Sequence, residues 1–133
     1  MKKSVIRIMI QIIAVIGFCS FVQTAMAHAI LVRSIPDKEA VLTGNLPKVI
    51  QLWFNDAVGK RYAALAVINT EGKRVDNRDG GLDSSDRSLL KATIKDDVPP
   101  GKYTVRYRVQ SADGHIITGK YYFTLEGKQE EKQ

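Results

Sequence analysis

An all-β domain, a sandwich or a barrel, is the fold class that the sequence predicts, on three observations. Residues Lys102 to Gln110 alternate in character, with Tyr103, Val105, Tyr107 and Val109 on one side and polar or charged residues on the other. Lys48 to Asn55 does the same through Ile50, Leu52 and Phe54, and Ile117 to Leu125 through Ile117, Tyr121, Phe123 and Leu125. Turn signals recur about every ten residues, and nothing beyond residue 27 has a helical period. A period of two is what a sheet needs when one face is buried and the other is wet.

The remaining elements are shorter. Ile30 to Ile35, Ala63 to Asn69 and Ser88 to Ile94 are apolar or β-branched runs and read as further strands. Asn69-Thr70-Glu71-Gly72 reads as a hairpin turn and Asp79-Gly80-Gly81 as a surface loop. Val98-Pro99-Pro100-Gly101 is a sharp break before the best strand. There is no internal repeat and no interdomain linker, and Gly127 to Gln133 reads as a frayed polar tail.

The first 27 residues read as a secretory signal peptide. Lys2, Lys3 and Arg7 form a basic start, Ile8 to Val22 is apolar, and Ala25-Met26-Ala27 supplies small residues at −3 and −1. An uncleaved anchor would need ~20 apolar residues, and Gln11 and Ser20 interrupt this stretch. A lipid-modified Cys19 would need a small residue where Phe18 stands. Removing 27 of 133 residues leaves 106, enough for one domain with one core. Of the 20 Lys and Arg, three leave with the segment, so 17 remain against 14 Asp and Glu, about +3. The two signs are interspersed, with no stripe suited to nucleic acid, so the charge reads as a solvated surface. Cys19, the single cysteine, also leaves, and core burial alone must hold the exported domain together.

The two histidines carry the chemistry. Cleavage after Ala27 makes His28 the first residue, offering a free amine and an imidazole at one place. Both deprotonate readily near neutral pH, with reference pKa values of roughly 7.7–8.0 and 6.5. His115 lies in Ser111-Ala112-Asp113-Gly114-His115, between the two strongest strands. Alone, that segment is explained by turn chemistry. Paired with His28, it completes three nitrogens, and Asp113 can add a carboxylate oxygen. Such a set in one plane suits copper(II), the most tightly bound of the common divalent metals. Met1, Met9 and Met26 all precede residue 27, so no thioether site for copper(I) can form.

The exported chain resembles the CopC copper-resistance proteins of the bacterial periplasm over essentially its whole length. His28-Ala29, Ser34-Ile35-Pro36 and Pro47-Lys48-Val49-Ile50-Gln51-Leu52-Trp53-Phe54 match that family's first two strands. Pro100-Gly101-Lys102-Tyr103-Thr104-Val105, then Ser111-Ala112-Asp113-Gly114-His115 and Thr118-Gly119, match its most distinctive block. The resemblance implies a seven-stranded Greek-key, immunoglobulin-like β-sandwich spanning residues 28–126. It also implies one copper(II) ion held by the amine and ring of His28, by Asp113 and by His115. Some members add a carboxylate after the second strand, usually Glu. Asp56 stands there, with a shorter side chain, and reads equally well as a strand-end turn residue. Some members also carry a Met-rich copper(I) loop, which this chain lacks. Ala27-His28-Ala29 also fits the cleavage rule, so a cut after Ala29 competes. The cut after Ala27 is expected because it alone makes a metal site and because the family begins in this way.

A monomeric periplasmic copper(II) carrier or buffer, not an enzyme, is therefore the expectation. Its partners would be the ion and an inner-membrane CopD-type copper transport protein. Two other classes remain open. A histidine-brace copper oxygenase would use two histidines and an open axial position, which a coordinating Asp113 disfavours. An immunoglobulin-like interaction domain would leave both histidines incidental.

Overall fold

The computed structural model describes residues 28–127, with Met1, Lys3, Ser4 and Ile6 from the segment before them. Apart from those four, the expected signal segment lies outside the described residues, as do residues 128–133 of the expected tail. Among the described residues eight strands form: β1 (Leu31–Ile35), β2 (Val41–Thr43), β3 (Val49–Phe54), β4 (Gly59–Ile68), β5 (Gly81–Leu82), β6 (Leu89–Thr93), β7 (Gly101–Gln110) and β8 (Ile116–Glu126). They make two four-stranded sheets, ordered β1-β3-β6-β5 and β2-β8-β7-β4. Apart from the parallel β2–β8 pair, every strand pairing is antiparallel.

This is the immunoglobulin arrangement, one sheet of ABED type facing one of CFG type. The count reaches eight rather than seven because the first strand is split. β1 pairs with β3 in one sheet. The chain then passes Pro36, which has no N–H to give a ladder, and β2 joins β8 in the other sheet. The start of the domain is thereby stitched to both layers.

The alternation read from the sequence is what fills the space between the sheets. Ile50 and Leu52 are fully buried, and Phe54 nearly so. Val105, Val109, Tyr121, Phe123 and Leu125 face them from β7 and β8. Burying one such side chain is worth about 1.5–3 kcal/mol, and these strands supply most of the driving force. Tyr103 stacks on Phe123 with ring centroids 5.5 Å apart. Its hydroxyl donates to the Pro99 carbonyl, a tyrosine corner at the start of the F-type strand. Pro100-Gly101-Lys102-Tyr103 is thus a folding motif. So is Gly119, whose register partner is Tyr107. A Cβ on Gly119 would lie 2.2 Å from the Tyr107 hydroxyl, so only glycine lets that ring lie where it does. Tyr107 in turn meets Phe54 edge-on at 5.5 Å.

One buried carboxylate has no counterpart in the sequence reading. Asp76 is wholly inaccessible to solvent. Its Oδ1 accepts from the Val67 N–H (2.9 Å) and from Arg74 Nε (3.1 Å). Its Oδ2 accepts from Arg74 Nη2 (2.6 Å) and the Arg78 N–H (3.0 Å). Four donors offset the loss of water that would otherwise make a buried charge untenable. Burial alone pushes the Asp76 carboxyl up. The Arg74 guanidinium and the two backbone N–H groups outweigh that and hold it below the usual carboxylate range.

Candidate metal centre

The β7–β8 hairpin ends in a tight loop, and its geometry follows from its residues. The Ser111 N–H donates to the His115 carbonyl at 2.8 Å, and the Gly114 N–H to the Ser111 carbonyl at 2.9 Å. Gly114 has φ 89°, a left-handed conformation that a Cβ would disfavour. Gln110 Nε2 donates to the Gly114 carbonyl from below. Asp113 turns back on the loop, and its Oδ1 accepts the His115 N–H at 3.0 Å. This Asx-type bond fixes the carboxylate and leaves Oδ2 pointing away from the backbone.

The start of the domain is brought to this loop by two residues. The Ala29 N–H donates to the Ser111 hydroxyl at 2.9 Å, with Ala29 and Ser111 both buried. Ile30 is held on both sides by Asn55. The Ile30 N–H donates to Asn55 Oδ1 at 2.8 Å, and the Asn55 N–H donates to the Ile30 carbonyl at 2.9 Å. A register shift between Leu31 and Arg33 bends β1 just beyond this point. With residues 29 and 30 so anchored, His28 has little choice of position.

His28, Asp113 and His115 consequently form one cluster. His28 Nδ1 is 3.2 Å and His115 Nδ1 3.1 Å from the same oxygen, Asp113 Oδ2. The rings are 5.2 Å apart, centroid to centroid, and inclined at 71°. Asp113 Oδ2 is cut off from solvent, yet neither imidazole makes a well-aligned N–H···O bond to it, and no other described residue donates to it. A buried carboxylate oxygen without a donor is an expense in a protein interior, and a cation removes it. The His115 N–H is the main influence drawing the Asp113 carboxyl below its usual range. Partial burial opposes the shift, and both imidazoles reinforce it. The group is therefore an anion at neutral pH, as a ligand must be.

One candidate atom from each residue lies within 4.8 Å of the others. An ion with bonds of about 2 Å can bridge that span with small side-chain rotations. Both histidine side chains are more than half exposed, so an ion has an open path in. Asp56, the fourth residue singled out, is not part of the cluster. It is exposed, and its Oδ1 accepts the Ala57 N–H at 2.7 Å. Ser111 and Asn55 escaped the sequence reading as positioning residues. Ser111 stands inside the Ser111–His115 motif and Asn55 at the end of an expected strand, but only the fold shows that they hold residues 29 and 30.

Fold and cluster together define a class, an immunoglobulin-like sandwich with two histidines and a carboxylate gathered at one end, a set that could hold a metal ion. The CopC domain model matches residues 31–126. The chain belongs to the CopC family. Among solved structures it is similar to CopC from Methylosinus trichosporium OB3b, with 28% identity and TM-score 0.68, covering 77% of this chain and 97% of that one. It is also similar to PcoC, a methionine-rich copper resistance protein from Escherichia coli, with 25% identity and TM-score 0.63, covering 75% and 100%. Among curated relatives, Copper resistance protein C of Escherichia coli is 27% identical over 77% of this chain and 84% of its own length. Copper transport protein CutJ of Bacillus subtilis is 27% identical over 77% of this chain, but the match spans only 19% of that longer protein.

Proposed function

We propose that this chain, cut after Ala27, is a periplasmic copper(II) carrier or buffer that holds one ion and catalyses no reaction. The amine and ring of His28, the ring of His115 and a carboxylate oxygen of Asp113 would bind the metal. The observation that carries the reading is Asp113 Oδ2, cut off from solvent, without a well-aligned donor, and faced by two imidazole nitrogens within 3.2 Å. Imidazole and amine nitrogens with one carboxylate suit copper(II) better than a thioether set would. The similar PcoC is described as methionine-rich. Here all three methionines lie within the first 26 residues. A longer copper transport protein contains a similar segment, and we read this chain as a separate monomer that delivers its ion to a membrane partner of CopD type.

Titration of the protein beginning at His28 with copper(II), followed by paramagnetic resonance, tests this reading. One equivalent should give a tetragonal, nitrogen-rich signal that His115→Ala removes or broadly alters. An intense thiolate-type absorption, or two equivalents of equal affinity, would overturn it.

A further inference from the structure

We propose that the outer face of the β2-β8-β7-β4 sheet is a docking groove for an extended, carboxylate-rich protein segment. The partner would be the protein that gives copper to this chain or receives it, and in that respect the inference rests on the function proposed above. Alternation along β7 buries Val105 and Val109 and turns Arg106 and Arg108 outward. Arg106 is the register partner of Lys120 on β8. On the other side, Arg106 and Arg108 are paired with Ala66 and Ala64 of β4. Small alanines beside long basic side chains leave a trough of about 740 Å³, and Arg74 and Arg78 line it too.

The charge in this trough is unbalanced. No carboxylate lines it. Arg74 is paired with Asp76. Arg78, Arg106, Arg108 and Lys120 are exposed and form no ion pair among the described residues. Arg108 Nε donates to the Tyr62 carbonyl, which holds its head in place without neutralising it. Arg78 has φ 62°, an unfavourable conformation for a side chain of its size, and the buried Asp76 holds its N–H. Like charges placed directly across two strands, as Arg106 and Lys120 are, weaken a sheet. A bound polyanion relieves that repulsion.

The spacing favours a peptide over a membrane. Arg106 and Arg108 are two residues apart on a strand, roughly 6.8 Å. Alternate carboxylates of an extended segment have the same spacing. The large exposed apolar residues Ile30, Val32, Val41 and Ile116, which a bilayer would take up, do not line it. The location also makes sense of it. β7 and β8 carry the basic residues and also meet in the loop that bears Asp113 and His115. A segment lying in the trough therefore lies on the same hairpin that carries Asp113 and His115.

The test uses the chain beginning at His28 and a short synthetic peptide of alternating Glu and Ser. Amide shifts should concentrate at Ala64, Ala66, Arg106 and Gly119 at about 20 mM salt, and binding should weaken on the order of tenfold by about 150 mM. Replacing Arg106→Ser together with Lys120→Ser should weaken it by a similar factor, leaving the copper(II) titration unchanged. Absence of binding, equal binding by the variant, or shifts spread over every lysine would overturn the proposal. So would capture by phosphatidylglycerol vesicles without peptide binding, which would assign the face to a membrane. A parent chain that binds the peptide but not copper(II) would sink the copper reading and leave the groove standing.

Discussion

The Ala29 N–H donates to the Ser111 hydroxyl at 2.9 Å across 82 positions of sequence. That bond joins the residue after His28 to the residue two before Asp113, so together with the Asn55 bonds to Ile30 it sets the distance between the two halves of the His28–Asp113–His115 cluster. Ser111→Ala leaves a buried N–H without an acceptor. Unfolding free energy should fall by about 1–2 kcal/mol in a urea titration. Copper(II) affinity should fall on the order of tenfold, as when a group that orients a ligand is removed. A variant that loses stability but keeps full affinity would show that His28 is positioned by something else.

A second prediction concerns the amine. One extra residue before His28 converts the amine to an amide, a poor ligand until deprotonated, and the chelate with the ring is lost. The fold should hold, because Ala29 and Ile30 keep their bonds to Ser111 and Asn55. Competition against a chelator should show copper(II) affinity reduced by about two or more orders of magnitude. Unchanged affinity would remove the amine from the ligand set.

Copper(I) should bind far more weakly than copper(II). Beyond residue 27 the chain has no sulfur to offer, and soft copper(I) depends on thiolate or thioether ligands. Parallel competition assays under reducing and oxidising conditions decide the matter, and comparable affinities would mean that the ligand set is misread.

The Arg74–Asp76 pair sets the acid limit of the fold. Its carboxyl is depressed in the folded protein and has a reference value of about 3.9 when unfolded. The stabilisation is therefore complete above that unfolded value and is lost as pH falls through the lower, folded one. Asp76→Asn should cost about 3 kcal/mol at neutral pH, since it leaves Arg74 without its counter-charge. It should also flatten the acid side of the stability curve. Thermal melts between about pH 2 and 7 measure both. A variant as acid-sensitive as the parent would assign that limit to other carboxylates.

Long, regular strands were readable from the chain because burial acts on them residue by residue. β3, β7 and β8 announce themselves through Ile50, Leu52, Val105, Val109 and Phe123. β2 and β5 do not, since three residues and two residues cannot display a period. Asp76 was missed for a different reason. An Asp in a charged stretch, with Arg74, Asn77, Arg78 and Asp79 nearby, looks solvated, and its donors at Val67, Arg74 and Arg78 meet it only once β4 has folded against the following turn. The cluster of His28, Asp113 and His115 was legible from motif and position. What holds it together was not, because Ser111 and Asn55 act on residues far away in sequence. The same limit hid the basic trough. Arg78, Arg106, Arg108 and Lys120 look interspersed along the chain, and only strand pairing gathers them.

With the chain cut after Ala27 as proposed, an ion shared by His28 and the last hairpin would act as a removable staple. The domain keeps no cysteine for a permanent one, Cys19 being in the segment before it. Because the first strand is sewn into both sheets, releasing its end loosens the two layers together. Ligand binding adds RT ln(1 + [L]/Kd), about 4 kcal/mol at a thousandfold excess over Kd. The loaded protein would then outlast the empty one among proteases, and its abundance would rise and fall with the supply of its own cargo.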